Sequence, residues 1–139
     1  MKDDLYYMNI AYKEALKAYK KNEIPIGVII VKDNIIISKA HNLRDSKKIV
    51  TKHAEIIAIE KSNKKLNNWR LNNCVLYSTL EPCKMCSEVI KEAKIKKVIY
   101  GTNNKCIHQN NNFIQIDDNQ IIKKCEFLIK NKFIELRNK

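Results

Sequence analysis

The sequence lacks any long apolar run, and it contains little glycine or proline. No stretch approaches the roughly 18 consecutive apolar residues that a membrane-spanning helix needs, so no membrane span is expected. With two glycines, two prolines and no internal repeat in 139 residues, the chain has no flexible linker. We therefore expect one domain over residues 1–139. Hydrophobic residues make up 45% of the chain, which is typical of a folded globular protein.

The sequence also lacks the marks of a secreted protein. Its first residues, MKDDLYYMNIAYKEA, do not have the basic-then-apolar order of a signal peptide. The five cysteines are an odd number, and their spacing does not resemble a disulfide framework. We therefore expect a cytoplasmic protein, in which a Cys-x-x-Cys pair indicates metal or redox chemistry.

Arginine is scarce, and lysine supplies nearly all of the positive charge. The net charge is +12, yet the chain contains only Arg44, Arg70 and Arg137. Such an excess is compatible with a polyanionic partner such as RNA. Lysine, asparagine and isoleucine also share A/T-rich codons, so genome composition is an equally good explanation of the charge.

Hydrophobic periodicity predicts alternating helices and strands. Helices are predicted over 4–21, from an N-cap at Thr51, from Pro82 to about Ala93, and over 118–136, where the last helix buries a face that includes Phe133. Strands are predicted over 24–31, 34–40, 73–80, 96–101 and 113–116, with a hairpin turn at Asp33-Asn34. This order indicates a central sheet with helices on both faces. The direction of the fifth strand stays open, because the loop at 101–112 is short for a parallel crossover.

The stretch TLEPCKMC (79–86) contains the Cys83–Cys86 pair, which has three possible roles. At positions i and i+3 of a new helix, the two thiols lie on one face and near its positive end. A redox pair also follows a strand and opens a helix, although the rest of a thioredoxin-like context is missing. A structural Cys₄ zinc site would need a second Cys-x-x-Cys motif, and the sequence has none.

A third metal ligand is available upstream, in TKHAEIIAIE (51–60). His53 opens the second predicted helix, and together with Cys83 and Cys86 it makes a Cys₂His zinc site with one open coordination position. Glu55 follows two residues later, and a helix start directed at the site brings both side chains to it. A carboxylate there can move a proton between a water molecule and a substrate.

Each of these residues also has an ordinary structural interpretation. His53 can bond the backbone, Glu55 can complement the helix dipole, and the cysteines can be small buried side chains. Their joint spacing, H-x-E followed by P-C-x-x-C, is nevertheless the signature of the zinc nucleobase deaminases. The sequence therefore predicts a catalytic zinc site with one Zn²⁺ per chain.

The chain resembles the bacterial tRNA-specific adenosine deaminase family along most of its length. The matching segments are EIPIGVIIV (23–31), Asn42, TKHAE (51–55), TLEPCKMC (79–86), IKKVIYG (95–101) and KCEFLIKNKF in the last helix. The resemblance implies a cytidine deaminase-like α/β/α sandwich, in three layers, around a mixed five-stranded sheet. It also implies conversion of the wobble adenosine of a tRNA anticodon stem-loop to inosine, and a homodimer.

The resemblance gives each site residue a role. His53, Cys83 and Cys86 would bind zinc and Glu55 would shuttle protons. Asn42 would orient the substrate, and Ile26 would help wall the base pocket, although a core strand residue is the simpler interpretation of Ile26. Guanine and cytosine deaminases share P-C-x-M-C, so a free-base or nucleoside deaminase remains an alternative, as does a catalytically silent zinc subunit.

The sequence departs from the family pattern at three places. Ile49-Val50 stands where the family has Asp-Pro, Asn103-Asn104 replaces a basic-acidic pair that contacts RNA, and the following loop is shorter. These departures concern RNA recognition rather than the zinc site. The candidates for phosphate contacts are Lys52, Lys84, Lys105 and Arg70, although solvated surface charge is the simpler interpretation of each one.

Overall fold

Helices and strands alternate along the chain in the computed structural model, which describes residues 2–104 and 112–138. The helices are α1 (Asp4–Lys20), α2 (Arg44–Lys47), α3 (Ala54–Leu66), α4 (Lys84–Glu92) and α5 (Asn119–Arg137). The strands are β1 (Gly27–Lys32), β2 (Ile35–His41), β3 (Cys74–Leu80), β4 (Lys97–Thr102) and β5 (Phe113–Gln115). Most of the loop predicted at 101–112, with Lys105 and Cys106, lies outside the described residues, and its first two residues belong to β4.

The five strands form one mixed sheet in the order β2-β1-β3-β4-β5. Strand β1 is antiparallel to both of its neighbours, whereas β3, β4 and β5 are mutually parallel. The predicted mixed five-stranded sheet is confirmed, and the direction that the sequence left open is parallel. The hairpin between β1 and β2 also forms as predicted, with Asp33 and Asn34 at φ of 50° and 64°. Positive φ at both central residues is the geometry that such a two-residue turn requires.

Helices cover both faces of the sheet and complete the predicted three layers. In β1, Val28 and Ile30 point to the face that α3 and α4 cover. Ile29 and Val31 point to the opposite face, which α1 and α5 cover. This alternation follows from the period of two along a strand, and it gives the sheet a core on each side. None of the described helices is long and apolar enough to cross a membrane.

Three details differ from the sequence-based expectations. The N-cap of α3 is His53 rather than Thr51, because residues up to Lys52 belong to a closed loop that includes the unpredicted helix α2. Pro82 precedes the N-cap of α4 and does not lie in its first turn, because Cys83 has an extended backbone. Phe133 is 46% exposed rather than buried.

Candidate metal centre and active site

Three segments of the chain meet at one edge of the sheet. Gly27, at the start of β1, pairs with His41 at the end of β2, and the first residues of β1 lie opposite the last residues of β3. The N–H of Asn42 donates to the carbonyl of Ile26 over 3.2 Å, so the residues that flank this pairing are adjacent. The carboxyl ends of β3 and β4 lie at the same edge, where open α/β sheets commonly bind ligands.

Two helices begin at this edge with a functional side chain at the N-cap. His53 is the N-cap of α3 and Cys83 is the N-cap of α4, and both have extended backbones. Neither side chain caps its own helix by a hydrogen bond. Both side chains are therefore available to a ligand, next to helix ends whose dipoles favour negative charge.

The side chains of His53, Cys83 and Cys86 form a compact donor cluster. Nδ1 of His53 lies 3.8 Å from Sγ of Cys83 and 3.5 Å from Sγ of Cys86. All three donor atoms lie within 4.8 Å of one another, and within residues 2–104 and 112–138 no other group of three such side chains does so. One imidazole and two sulfurs fit zinc, which binds nitrogen and sulfur tetrahedrally, and three protein ligands leave a fourth position open.

The charges within the cluster also suit a cation. Hydrogen bonds with Cys86 and His53 lower the pKa of Cys83 to about 4, so that sulfur is a thiolate at neutral pH. The hydrogen bond between the two cysteines raises the pKa of Cys86. The hydrogen bond between Cys83 and His53 raises the pKa of His53, although burial acts in the opposite direction. Metal binding would release the protons that Cys86 and His53 retain.

Glu55 lies beside this cluster with an unsatisfied oxygen. Glu55 is 3% exposed. Among the described side chains, Oε1 of Glu55 is the one buried polar atom that has no hydrogen-bond partner. Burial raises the pKa of Glu55 to about 7, and the nearby Cys83 acts in the same direction. Buried polar atoms are rarely left unpaired, so an orphaned carboxylate oxygen next to three metal ligands indicates a functional contact with a ligand.

Asn42 and Ile26 complete the edge. Asn42 is 3% exposed, and its Oδ1 accepts the backbone N–H of Arg44 over 3.3 Å. This bond identifies which end of the amide is the oxygen, so the Nδ2 group is the end that can donate to a bound molecule. Ile26 is half-buried and packs against the core cluster on the α3 and α4 side of the sheet.

The family comparison agrees with this donor set. The model of the "Cytidine and deoxycytidylate deaminase zinc-binding region" matches residues 1–102. The chain belongs to this zinc-binding deaminase family. Zinc is therefore its cofactor, and His53, Cys83 and Cys86 are positioned to bind it.

Members of the deaminase family with curated names share substantial identity with the chain. It is 46% identical over 105 residues to the tRNA-specific adenosine deaminase of Streptococcus pyogenes serotype M18, and 44% identical over 101 residues to that of Bacillus subtilis. The matches cover 76% and 73% of this chain. The chain spans only 66% and 63% of the length of these two relatives.

Solved deaminase structures share the fold. One, from a study of A-to-I editing by tRNA:A34 deaminases, superposes with a TM-score of 0.80 at 27% identity and covers 89% of this chain and 99% of its own. Guanine deaminase from Bacillus subtilis superposes with a TM-score of 0.70 at 34% identity, over 73% of this chain and 66% of its own. The cytidine deaminase-like fold expected from the sequence is confirmed.

The sequence did not single out a second buried carboxylate near the candidate site, that of Glu23. Glu23 is fully buried, and its carboxylate accepts the backbone N–H groups of Asp45 and Ser46 over 3.1 and 2.5 Å, as well as the Ser46 hydroxyl. Its only signal in the sequence was its place in the matching segment EIPIGVIIV. An acidic residue that precedes an apolar strand does not by itself indicate that it is buried.

The candidate phosphate contacts are widely separated. Arg70 stacks on Trp69 beyond the C-terminal end of α3, about 20 Å along the helix from His53. Lys52 pairs with Glu60 at 3.4 Å, whereas Lys84 is exposed in the first turn of α4, beside the donor cluster. Of these three, Lys84 is therefore an exposed cation next to the site, and Arg70 is not at the site.

Asn103 and Asn104 have structural partners. Asn104 donates its backbone N–H to Oε1 of Glu81 over 3.2 Å and its Nδ2 to the Glu81 carbonyl over 3.4 Å. Oδ1 of Asn103 accepts the Tyr100 hydroxyl over 3.0 Å. Asn104 thus fastens the end of β4 to the TLEPC turn that carries Cys83, whereas Asn103 bonds back to β4 itself.

Proposed function

We propose that this protein is a zinc-dependent tRNA adenosine deaminase, which hydrolyses the wobble adenosine of an anticodon stem-loop to inosine and releases ammonia. The observation that carries this proposal is the orphaned Oε1 of Glu55 beside the three clustered metal donors. The tRNA substrate is supported by the 44–46% identity to tRNA-specific adenosine deaminases.

His53, Cys83 and Cys86 would hold the zinc ion. When bound, zinc makes a coordinated water molecule acidic enough to supply a nucleophile at neutral pH. The protein itself contributes rigid placement, because His53 and Cys83 are fixed at the starts of two helices that pack on one face of the sheet. A rigid first turn positions a ligand better than a flexible loop does.

Glu55 would carry every proton that the reaction moves. The carboxylate takes a proton from the attacking water and delivers it to the ring nitrogen next to C6 of the adenine. After the C–O bond has formed at C6, Glu55 passes the second proton of the water to the amino group. The C–N bond then breaks and ammonia leaves, which restores the carboxylate and leaves inosine.

Asn42 and Ile26 would orient the substrate. The Nδ2 group of Asn42 is held at the site edge by the hydrogen bond between its Oδ1 and the Arg44 backbone. A donor fixed in this way can bind an acceptor on the base or the ribose. The half-buried side chain of Ile26 offers an apolar wall to a base that has been splayed out of its RNA loop.

The direct test is to incubate the zinc-loaded protein with transcribed tRNAs that carry adenosine at the wobble position. Sequencing the products would detect A-to-I conversion at that one position. We expect inosine there with the wild type and none with Glu55→Ala. Inosine formation that persists in Glu55→Ala would contradict the proposed role of Glu55.

Guanine deamination is the second candidate, because the guanine deaminase from Bacillus subtilis superposes at 34% identity. Release of ammonia from free guanine, with no change in any tRNA, would select this activity. A silent zinc subunit would deaminate neither substrate while still binding one zinc per chain. The buried Glu55 argues against such a subunit, since zinc binding alone has no use for a proton carrier.

The proposal also extends to organisation and location. We expect residues 1–139 to form one deaminase domain that works in the cytoplasm, where tRNA is modified. A homodimer is supported by the apolar side chains of Phe127, Phe133 and Ile134, which are 46–68% exposed on α5. Sedimentation velocity would test it, and a monomer at micromolar concentration would contradict it.

A further inference from the structure

A closed loop joins two residues of the proposed site. It runs from Leu43 to Lys52, so Asn42 precedes it and His53 follows it. The N–H of Leu43 donates to the Lys52 carbonyl over 2.9 Å, which closes the neck of the loop beside the metal donors. We call residues 43–52 the rim loop.

Hydrogen bonds to a buried carboxylate and within its own backbone fix the rim loop. The carboxylate of Glu23, which is fully buried, accepts two backbone N–H groups and one hydroxyl from Asp45 and Ser46. Within the loop, Ile49 N–H donates to the Arg44 carbonyl over 3.2 Å. A surface that is ordered before binding loses little conformational entropy when a partner docks.

The exposed side of the rim loop is basic and apolar. Its one carboxylate, Asp45, lies 3.6 Å from Arg44, and Lys52 is paired with Glu60. Lys47 and Lys48 are exposed, and neither is ion-paired with any residue that the structure describes.

Two apolar side chains, Ile49 and Val50, follow directly and are 44% and 70% exposed. Unpaired cations next to exposed apolar side chains match a single-stranded RNA loop, which presents phosphates and unstacked bases together.

We propose that the rim loop is the RNA-docking surface of the site, on which Lys47 and Lys48 contact phosphates of the anticodon loop. The inference rests on the proposed function and deepens it, since it names the side chains that would seat the RNA. The rim loop joins Asn42 to His53, so RNA docked on it would reach the edge where the target base must enter. Neither lysine touches the reacting atoms, so both act on binding rather than on chemistry.

The test compares two lysine pairs that carry the same charge. In Lys47→Ala/Lys48→Ala the rim loop loses both cations. In the control, Lys64→Ala/Lys65→Ala, two exposed cations are lost from the far end of α3, about 15 Å along the helix from its first turn. Binding of a labelled anticodon stem-loop to the zinc-loaded protein is measured by fluorescence anisotropy over a salt series, and kcat and KM are measured in parallel.

We expect the rim variant to bind the stem-loop about 20-fold more weakly at 0.1 M salt. The plot of log binding constant against log salt concentration should be shallower by about 1.4, because each of the two single-strand phosphate contacts contributes a slope of about 0.7. KM should rise with little change in kcat, and the control should remain within about twofold of the wild type.

Four results would overturn the proposal. Equal losses in both variants would mean that net charge alone attracts RNA. A duplex RNA of equal length that binds as tightly as the stem-loop would exclude docking of a single-stranded loop. Absence of stem-loop binding by the wild type would overturn the RNA substrate as well, whereas binding that does not depend on Lys47 and Lys48 would leave the proposed function intact.

Discussion

Two buried glutamates, Glu55 and Glu23, lie near the same edge of the sheet in opposite states. They are 3% and 0% exposed. Glu23 accepts three hydrogen bonds from the rim loop, whereas Oε1 of Glu55 accepts none from the described residues. Burying a carboxylate is unfavourable unless it is hydrogen-bonded, so the satisfied residue stabilises the fold and the unsatisfied one destabilises it.

The two glutamates therefore have different roles, since Glu23 serves the structure and Glu55 serves the reaction. An unpaired carboxylate oxygen persists where a ligand supplies the missing partner, and Oε1 of Glu55 lies next to three metal donors. The carboxylate of Glu23 instead has all of its partners within the protein. The comparison therefore predicts that changes at Glu55 affect activity, and that changes around Glu23 affect stability.

The largest effect is expected from Glu55→Gln. We predict a loss of kcat of at least 100-fold, because a positioned general acid–base contributes about 10²–10⁴-fold. Zinc content should stay at one ion per chain, and the free energy of unfolding should not fall, since no hydrogen bond is lost at Oε1. Steady-state kinetics, metal analysis and urea denaturation would check this. Glu60→Gln, on the exposed side of the same helix, is the matched control, and equal losses in both variants would contradict the prediction.

Gly27→Ala tests how tightly the structural region is packed. A Cβ at this position would lie 1.9 Å from the Ala11 carbonyl oxygen and 2.5 Å from the Ala15 nitrogen. Because both atoms belong to the backbone of α1, we predict a loss of about 3 kcal/mol in the free energy of unfolding, measured in urea. At Gly101 the nearest atom, the Thr79 carbonyl oxygen, is 2.7 Å away, so Gly101→Ala should be milder. The reverse order would contradict this packing argument.

Glu23→Gln tests the structural role of the hydrogen-bonded glutamate. An amide keeps one acceptor but presents an NH₂ group to backbone N–H donors, so we predict a loss of about 2 kcal/mol in stability. Because Asn42 and His53 flank the loop that Glu23 anchors, KM for RNA should rise more than kcat falls. Urea denaturation and steady-state kinetics measure the two effects. A fall in kcat as large as that of Glu55→Gln would contradict the prediction that Glu23 has a structural role and Glu55 a chemical one.

The smallest effect is expected from Glu14→Gln, where α1 meets β2. Burial would raise the pKa of Glu14, but hydrogen bonds from His41 at 3.0 Å and Lys17 at 2.7 Å outweigh it and hold the pKa below its ordinary value of 4.5. The ionised form is therefore favoured by folding, and its stabilisation is present above about pH 4.5 and is lost as the pH falls further.

We predict that Glu14→Gln lowers the free energy of unfolding by about 1 kcal/mol at pH 7, since the side chain is only slightly exposed. The difference from the wild type should shrink as the pH falls below the ordinary pKa of Glu14, which urea denaturation at several pH values would measure. A difference that grows in acid would contradict the assigned direction of the pKa shift.

Local patterns were enough to predict most of the fold. For β2, β3 and β4, apolar periodicity predicted both ends of the strand to within about two residues of the observed bounds. Asp33-Asn34 predicted the hairpin, because both residues tolerate positive φ. The start of α3 was wrong at Thr51, since a capping residue type does not reveal that a loop held by Glu23 continues to Lys52.

The sequence by itself determined which atoms can bind zinc and that a carboxylate accompanies them, because donor chemistry and helix position are local properties. Only the tertiary structure decided that Oε1 of Glu55 is orphaned while Glu23 is satisfied, and that β5 is parallel to β4. It also decided that the rim loop closes between Leu43 and Lys52, while Arg70 lies beyond the far end of α3. Burial, hydrogen bonding and proximity depend on which distant segments the sheet register brings together, and no local pattern specifies that register.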